Sequence, residues 1–375
     1  MSSLNIHIGM SMLLHDKKRL LLSTSGIAFA VVIMFMQLGF FNGINDSQAN
    51  IANLINADLV VIHKKRTHLN KWNRFAPIHL QQIIAMPGVK EGIPIYKDGV
   101  GLKNPDTQEV KRIIMYAFPP QSRPFNLKGV TDETWEFLKI RGNVLFDIRS
   151  RDIFGDFQIG DNLTINTKPF RLAGYVEVGP NIINDGTLFS GEGSWRDPGD
   201  NLIMGLVRLN DNIDKASTIQ AIKDKLDDDL LIMSPEQLAN REIRYTVINA
   251  PIGAVFGIGL IVSLFIGTVI CYQILYNEVT DNLPQYATLK AMGFGPNYLI
   301  QTIMEEAAVL SVIGFLPGLG LSFLIYDITA DATRLIMEFS LLSIFSIFCL
   351  TFFMCLFAGY LAMKKVLKLD PAELY

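Results

Sequence analysis

The sequence predicts an α-helical membrane protein with four transmembrane helices and a large α+β extracytoplasmic domain. Two observations carry this reading. Tyr245–Asn277 and Phe339–Met363 contain no charged residue, whereas Ile44–Ala250 holds 25 Lys+Arg and 26 Asp+Glu in 207 residues. About a quarter of that middle stretch is charged, as in a soluble domain, while the other 168 residues carry 18 charges. The hydrophobic content of 50% is therefore an average over two unlike parts.

The spans come first. A helix rises about 1.5 Å per residue, so about 20 apolar residues cross a hydrocarbon core about 30 Å thick. Four segments meet that length, near Leu20–Phe41, Pro251–Tyr276, Tyr298–Tyr326 and Phe339–Met363. The first follows Lys17, Lys18 and Arg19 but is longer than a signal peptide core, so a retained anchor is expected. Four crossings put both termini on one side. Lys17–Arg19 before the first span and Lys364, Lys365 and Lys368 after the last make that side cytoplasmic. Tyr272, Tyr276, Tyr298 and Tyr360 then form a belt near the cytoplasmic ends. The expected division is 1–19 cytoplasmic, 20–43 first span, 44–250 external domain, 251–276 second span and 277–297 cytoplasmic link. It continues as 298–326 third span, 327–338 external loop, 339–363 fourth span and 364–375 cytoplasmic tail.

Within the external domain, a polar helix continues the first span through Ile44–Asn56. Two β-α-β patterns follow. One is Asp58–Ile62, a helix at Ile78–Met86 and Val89–Tyr96; the other is Leu202–Leu209, a helix at Lys215–Leu226 and Leu230–Met233. Two such units suggest a split, ferredoxin-like arrangement. Ile159–Ile165 and Phe170–Val178 read as paired strands of a second, β-rich subdomain over about 120–200. Its loop Ser190–Gly199 reads as a mobile surface loop or a partner contact. Pro235–Arg244 is expected to be a helix running into the second span. Cys271, Cys349 and Cys355 all fall in spans, so the external domain has no disulfide and the cysteines read as small apolar residues.

Several chemistries are missing. No Lys precedes Ser or Thr, so there is no Walker A motif, and no His precedes Glu, which removes His-Glu-x-x-His. The cluster His63–His68 reads as a solvated basic loop, with contact to an anionic lipid headgroup as the alternative. No catalytic residue, metal site or nucleic-acid partner is expected. Any ATP and Mg would be bound by another chain. In the third span, Glu305 and Glu306 are costly in hydrocarbon and are expected to face protein or the interface in a structural role. The small-residue pairs Gly39/Gly43, Gly253/Gly257 and Gly314/Gly318 permit close helix approach.

The link between the second and third spans has the sharpest local design. Asp281 or Asn282 can cap a helix, Pro284 falls in its first turn, and Gly293 with Gly295-Pro296 ends it. Leu283, Tyr286, Leu289 and Lys290 share a side. Here the chain resembles the membrane subunits of the MacB/FtsX-like ABC transporter superfamily, and the DevC type closely. The resembling runs are Gly26–Ala30, Met34–Phe40, Gly267–Tyr276, Leu283–Phe294, Pro87–Val89, Lys103–Asp106 and Asp370–Leu374. The resemblance implies a four-span permease half with porter-like and β-rich periplasmic subdomains, paired with a second copy in a bacterial inner membrane. A separate ABC ATPase dimer would contact Leu283, Gln285, Tyr286, Leu289 and Lys290. Gln285 stands where many MacB relatives carry Glu. A periplasmic adaptor, a TolC-like outer-membrane channel and a glycolipid or other amphiphile as cargo are also implied. The alternatives are extraction of lipoproteins and an FtsX-like scaffold that activates a cell-wall hydrolase.

Overall fold

The structure, a computed structural model, describes residues 17–197, 199–211, 214–249, 251–284, 286, 288, 292–335, 337 and 339–366. The chain divides into two compact units. One comprises residues 1–42, 252–330 and 337–375; the other comprises 43–251 and 331–336.

The membrane unit consists of the N-terminal part of α1 (Lys17–Asn53) with α6 (Pro251–Asp281), α7 (Pro296–Thr333) and α8 (Leu341–Val366). Each of these helices is long and apolar enough to cross a membrane. Its core joins Ile27, Val31 and Phe35 of α1 to Leu275 of α6, Leu310 and Phe315 of α7, and Ile347 and Ala358 of α8. Several glycines set the spacing. A β-carbon on Gly314 or Gly318 would meet Ile27 or Val31, so these two residues let α7 lie close to α1. Gly39 packs on Tyr326, and Gly267 packs on Met354 and Ala30. Gly257 has nothing within 4 Å of its virtual β-carbon. The small-residue positions Gly39, Gly314 and Gly318 thus act within one chain.

Gly43 is a correction. It was expected to end the first span and to pair with Gly39 in packing membrane helices. The structure buries it but assigns it to the second unit, whose first residue it is. The physical reason is that α1 does not stop with its apolar run. The helix continues unbroken to Asn53 through Asn45 and Asp46, and this polar turn belongs to the second unit. Gly39 and Gly43 lie one turn apart on one helix, and only Gly39 belongs to the membrane unit.

Two further boundaries differ from the sequence reading. Helix α7 continues to Thr333, so residues 327–333 of the expected 327–338 loop are helical. Pro296 opens α7 and does not merely end the helix before it, since a proline without an N–H is accommodated in a first turn.

The second unit contains two sheets that share a strand. Strands β1 (Leu59–His63), β2 (Val89–Lys103), β8 (Met204–Leu209) and β9 (Leu230–Met233) form an antiparallel sheet in the order β2-β8-β1-β9. With α2 (Pro77–Ile84) after β1 and α4 (Lys215–Lys225) after β8, this is the split β-α-β topology. The remaining strands are β3 (Val110–Phe118), β4 (Asn143–Asp147), β5 (Asn162–Ile165), β6 (Lys168–Val176) and β7 (Thr187–Gly191). They run β3-β7-β4-β6-β5 and return to β2 at both ends, which closes a barrel. Strand β2 serves both sheets. Val89–Ile95 pairs with β8, and Tyr96–Lys103 pairs with β3.

The β-rich part therefore begins near Tyr96, earlier than the expected 120. Gly99 and Gly101 are unfavourable in a strand, yet the strand runs through them. A β-carbon on Gly99 would meet Arg112, and one on Gly101 would meet Val110. Phe118, Phe125, Phe189 and Trp135 pack face and edge in the barrel-side core. Truncating one of them to Ala would cost about 3–5 kcal/mol. Trp135 comes from the short helix α3 (Asp132–Leu138), whose N-cap Thr131 accepts from the Thr134 amide. The last helix of the unit, α5, spans Pro235–Asn249.

Candidate functional site

The described residues of the link between α6 and α7 include the helical turns that the sequence suggested, but a different side chain turns inward. The Tyr286 amide donates to the Asn282 carbonyl at 3.1 Å and the Met292 amide to Thr288 at 3.0 Å, both helical bonds. Tyr286 is 6% exposed and packs with Val279 of α6, Leu299 and Ile303 of α7, and Met363 of α8. Leu283 is half-buried against the same cluster. Tyr286 is thus a residue that positions the link, and the expectation of a surface anchor is corrected for it. A phenol ring next to three packed helices removes more apolar area from water inward than outward. The residues turned out are Pro284, Thr288 and Met292, spaced by four, with Phe294 following. Met292 is 62% and Phe294 39% exposed, and the Phe294 ring lies 4.5 Å from that of Tyr298. Gln285, Leu289 and Lys290 lie outside the described residues.

Acidic residues surround the buried tyrosine. Burial raises the Tyr286 phenol well above its usual pKa, and the negative charges of Glu306 and Glu278 raise it further. Glu306 is 3% exposed on α7, and Glu278 is buried in the last turns of α6. Glu305 is half-buried and accepts from Gln301 at 3.3 Å. At 38 residues, α7 is about 57 Å long, nearly twice a hydrocarbon core. Residues 305 and 306 stand about 14 Å from its start, near one end of the helix. Glu278 escaped the sequence reading. Its only signal was a position eight residues before Tyr286 on a helix whose one other charge is Asp281.

The second unit has its own buried charges. Arg66 is fully buried and donates only to main-chain carbonyls, to Ile203 at 2.8 Å, Leu69 at 2.6 Å and Lys71 at 3.2 Å. Lys97 donates to the Leu69 carbonyl at 3.0 Å and to Asn70 Oδ1 at 2.9 Å. Glu242 of α5 accepts from the Leu69 amide at 2.7 Å. Burial lowers the Lys97 ammonium to about 7 and raises the Glu242 carboxyl to about 7. The basic loop His63–His68 is therefore only partly solvated, because Arg66 is its internal brace. The loop 190–199 is also held. Asp98 accepts from Trp195 Nε1 at 2.9 Å, from Arg196 Nε and Nη2 at 2.5 and 2.8 Å, and from Arg74 at 2.5 Å. Ser190 and Gly191 belong to β7. Among the described residues, no group of three His, Cys, Asp or Glu side chains could hold a metal ion.

The fold and this arrangement define a helical membrane protein with a large α+β domain between its first and second spans. Residues 257–371 match the FtsX-like permease C-terminal family. The macrolide export ATP-binding/permease protein MacB of Escherichia coli is 26% identical over 173 residues, covering 44% of this chain and 26% of that protein. A MacB 2 protein of Aeromonas hydrophila is 27% identical over 116 residues, covering 30% of this chain and 18% of its own length. The chain thus spans about a quarter or less of the length of these relatives. Among solved structures, the periplasmic region of MacB from Actinobacillus actinomycetemcomitans aligns with a TM-score of 0.38 at 13% identity, covering 51% of this chain and 94% of that one. The extracellular domain of YknZ from Gram-positive bacteria aligns with a TM-score of 0.33 at 11% identity, covering 48% of this chain and 99% of its own. The C-terminal membrane part of the chain is thus similar to FtsX-like permeases, and part of the chain is similar to MacB proteins.

Proposed function

We propose that this chain is the non-catalytic membrane half of an ATP-driven exporter. A separate ABC ATPase dimer binds ATP and Mg and grips the link between α6 and α7. Two copies of the permease sit in a bacterial inner membrane with both termini in the cytoplasm. Residues 44–250 face the periplasm. ATPase closure pushes on the link, the first and second spans move, and the external domains change their spacing. The cargo is an amphiphile, such as a glycolipid, passed to a periplasmic adaptor and a TolC-like channel.

The observation that carries this reading is the two-sided link. Tyr286 anchors it against three helices of the same chain, while Thr288, Met292 and Phe294 face outward. Force applied to the outer face would be delivered to α6, α7 and α8 through a packed side chain and not through a loose loop. An apolar groove of about 640 Å³ along α6 and α8, lined by Phe265, Val269, Phe353 and Phe357 among others, suits an alkyl chain. Purification of the complex from native membranes tests the proposal. Recovery of an ABC ATPase with an adaptor and an amphiphile is the expected result. A bound lipoprotein would redirect the cargo, and a cell-wall hydrolase in place of an adaptor would overturn export. Cysteines introduced at Asn162 and Asn210 should react with an impermeant maleimide in intact spheroplasts; labelling only after lysis would reverse the topology.

A further inference from the structure

Helix α5 has two unlike faces. Leu238, Ala239, Glu242 and Thr246 are buried. The opposite face, with Asn240, Arg241, Arg244, Tyr245 and Ile248, lines an open groove of about 700 Å³ whose other wall includes Thr67. The groove is built and not merely uncovered. Arg241 Nη2 donates to the Arg66 carbonyl at 2.9 Å, which fixes one edge of its guanidinium. The Tyr245 ring stacks on His68 with centroids 4.6 Å apart.

Its guanidinium groups have no carboxylate within ion-pair distance among the described residues. Arg74, Arg123 and Arg208, in the same unit, pair with Asp98, Asp132 and Glu91. Among the described residues, Arg241 and Arg244 form no ion pair, and neither do Lys64 and Lys65 of the adjoining loop. Two guanidinium groups thus line the groove, and the acid closest in sequence, Glu242, is turned inward to the Leu69 amide. The groove is also graded. Cationic and amide side chains give way to Ile248, which is 64% exposed, and Pro251 starts the apolar helix α6 three residues later. Cations followed by an aliphatic surface within about 15 Å of helix match the change from headgroup to acyl chain at a membrane surface. A guanidinium pair suits phosphate oxygens because its donors form a planar fork.

We infer that this groove binds the phosphate headgroup of an anionic phospholipid, with Arg241 and Arg244 on the phosphate and Ile248 against the start of an acyl chain. The inference goes beyond export and needs only that α6 enters a membrane; it does not depend on which side the second unit faces. The chain would hold a lipid at the root of its second span, and lipid composition would then bear on its assembly.

The test uses the purified full chain in detergent, titrated with phosphatidylglycerol or phosphatidylcholine and followed by native mass spectrometry. Phosphatidylglycerol should be retained in preference to phosphatidylcholine. Arg244→Gln, a change at an exposed side chain, should weaken retention roughly fivefold and Arg241→Gln/Arg244→Gln at least about tenfold, as expected for loss of charge-assisted hydrogen bonds. Arg171→Gln, an exposed cation on β6, serves as the control for general charge. Equal retention by wild type and both groove variants would overturn the inference, and so would an equal loss in Arg171→Gln. Displacement of the lipid by millimolar inorganic phosphate would mark a free-anion site and overturn the lipid assignment. Photocrosslinking from Asn240 in native membranes gives a second reading that does not depend on the stability of the variants; anionic lipid in the adduct is expected, and adducts to protein alone would overturn it.

Discussion

The hydroxyl of Tyr326, on α7, donates to the main-chain carbonyl of Phe35, on α1, at 2.7 Å, and its ring end occupies the space that a β-carbon on Gly39 would need. One glycine therefore admits the aromatic residue that ties two membrane helices together. The Tyr326 ring also stacks on Phe339 with centroids 4.0 Å apart. A position that reads in sequence as half of a small-residue pair with Gly43 is instead half of an internal socket.

Gly39→Ala should force the Tyr326 ring out of this socket. Overpacking of this kind costs about 1–3 kcal/mol, against which the better helix propensity of alanine returns up to about 1 kcal/mol. Thermal unfolding of the detergent-solubilised chain should show a lower midpoint for Gly39→Ala and little change for Tyr326→Phe, since interhelical hydrogen bonds in membranes average about 0.6 kcal/mol. In a Tyr326→Ala background the Gly39→Ala penalty should largely vanish. Additive effects in that cycle would disprove the socket.

Much of the fold was legible because charge and hydropathy act locally. The uncharged runs marked the second and fourth spans, and the two β-α-β patterns marked the split sheet. The sequence reading of β2 stops at Tyr96, short of Gly99 and Gly101, which are locally unfavourable in a strand; pairing with β3 outweighs that. Tyr286 was legible as a key residue of the link, but its direction was not. A helix of about ten residues has apolar side chains on more than one face, and the choice depends on Leu299, Ile303 and Met363 further along the chain. The loop after β7 read as mobile from its glycines, while Trp195 and Arg196 are fixed by Asp98 across nearly a hundred residues. Such long-range polar contacts leave no periodic trace.

Asp98→Ala should release that loop. Burial raises the Asp98 carboxyl, but hydrogen bonds from Arg196 and Trp195 and the nearby charges lower it further, so its net pKa lies below the usual value. The contact then contributes above the unfolded carboxyl range and is lost as pH falls through the lower native value, below about 4. Removing the acid leaves two half-buried guanidinium groups without their partner, at a cost of about 2 kcal/mol. Trypsin should cut after Arg196 in Asp98→Ala much faster than in wild type at pH 8. Unchanged cleavage would show that the loop is held by other contacts.

The cluster around Leu69 sets a pH dependence of opposite sign on its two sides. Glu242, raised to about 7 by burial, keeps its proton in the folded state where the unfolded chain has lost it, so stability falls as pH rises from about 4.5 to 7. Asp147, raised to about 6 by burial, adds to the lower part of that limb. Lys97, lowered to about 7 by burial, releases its proton in the folded state while the unfolded chain retains it, so its contribution rises from about 7 towards 10.4. The charges of Arg66 and Arg241 lie near Glu242, and those of Arg66 and Arg112 lie near Lys97. Thermal midpoints across pH should therefore pass through a minimum near neutrality. Glu242→Gln should flatten the slope between 6 and 7, and Lys97→Met the slope above 7. A monotonic profile in wild type would refute the assignment.

The outer face of the link is expected to carry the contact with the ATPase, and its inner face the stability of the link. Met292 and Phe294 are exposed apolar side chains at the end of a helix that Tyr286 holds down. Buried aromatic and aliphatic anchors dominate protein contacts and cost about 2 kcal/mol or more when truncated. Met292→Ala with Phe294→Ala should therefore reduce ATPase co-purification at least about tenfold and leave the thermal midpoint of the permease close to wild type. Tyr286→Ala should behave differently. It opens a cavity against Ile303 and Met363, so it should lower the midpoint by the several kcal/mol typical of a large-to-small change. Tyr286→Phe keeps the packing and should retain most of both properties. If Tyr286→Ala weakened ATPase binding with no loss of stability, the tyrosine would be a surface anchor after all. If Met292→Ala with Phe294→Ala left binding intact, the ATPase would grip elsewhere, with the Met10–Arg19 segment as the next place to test.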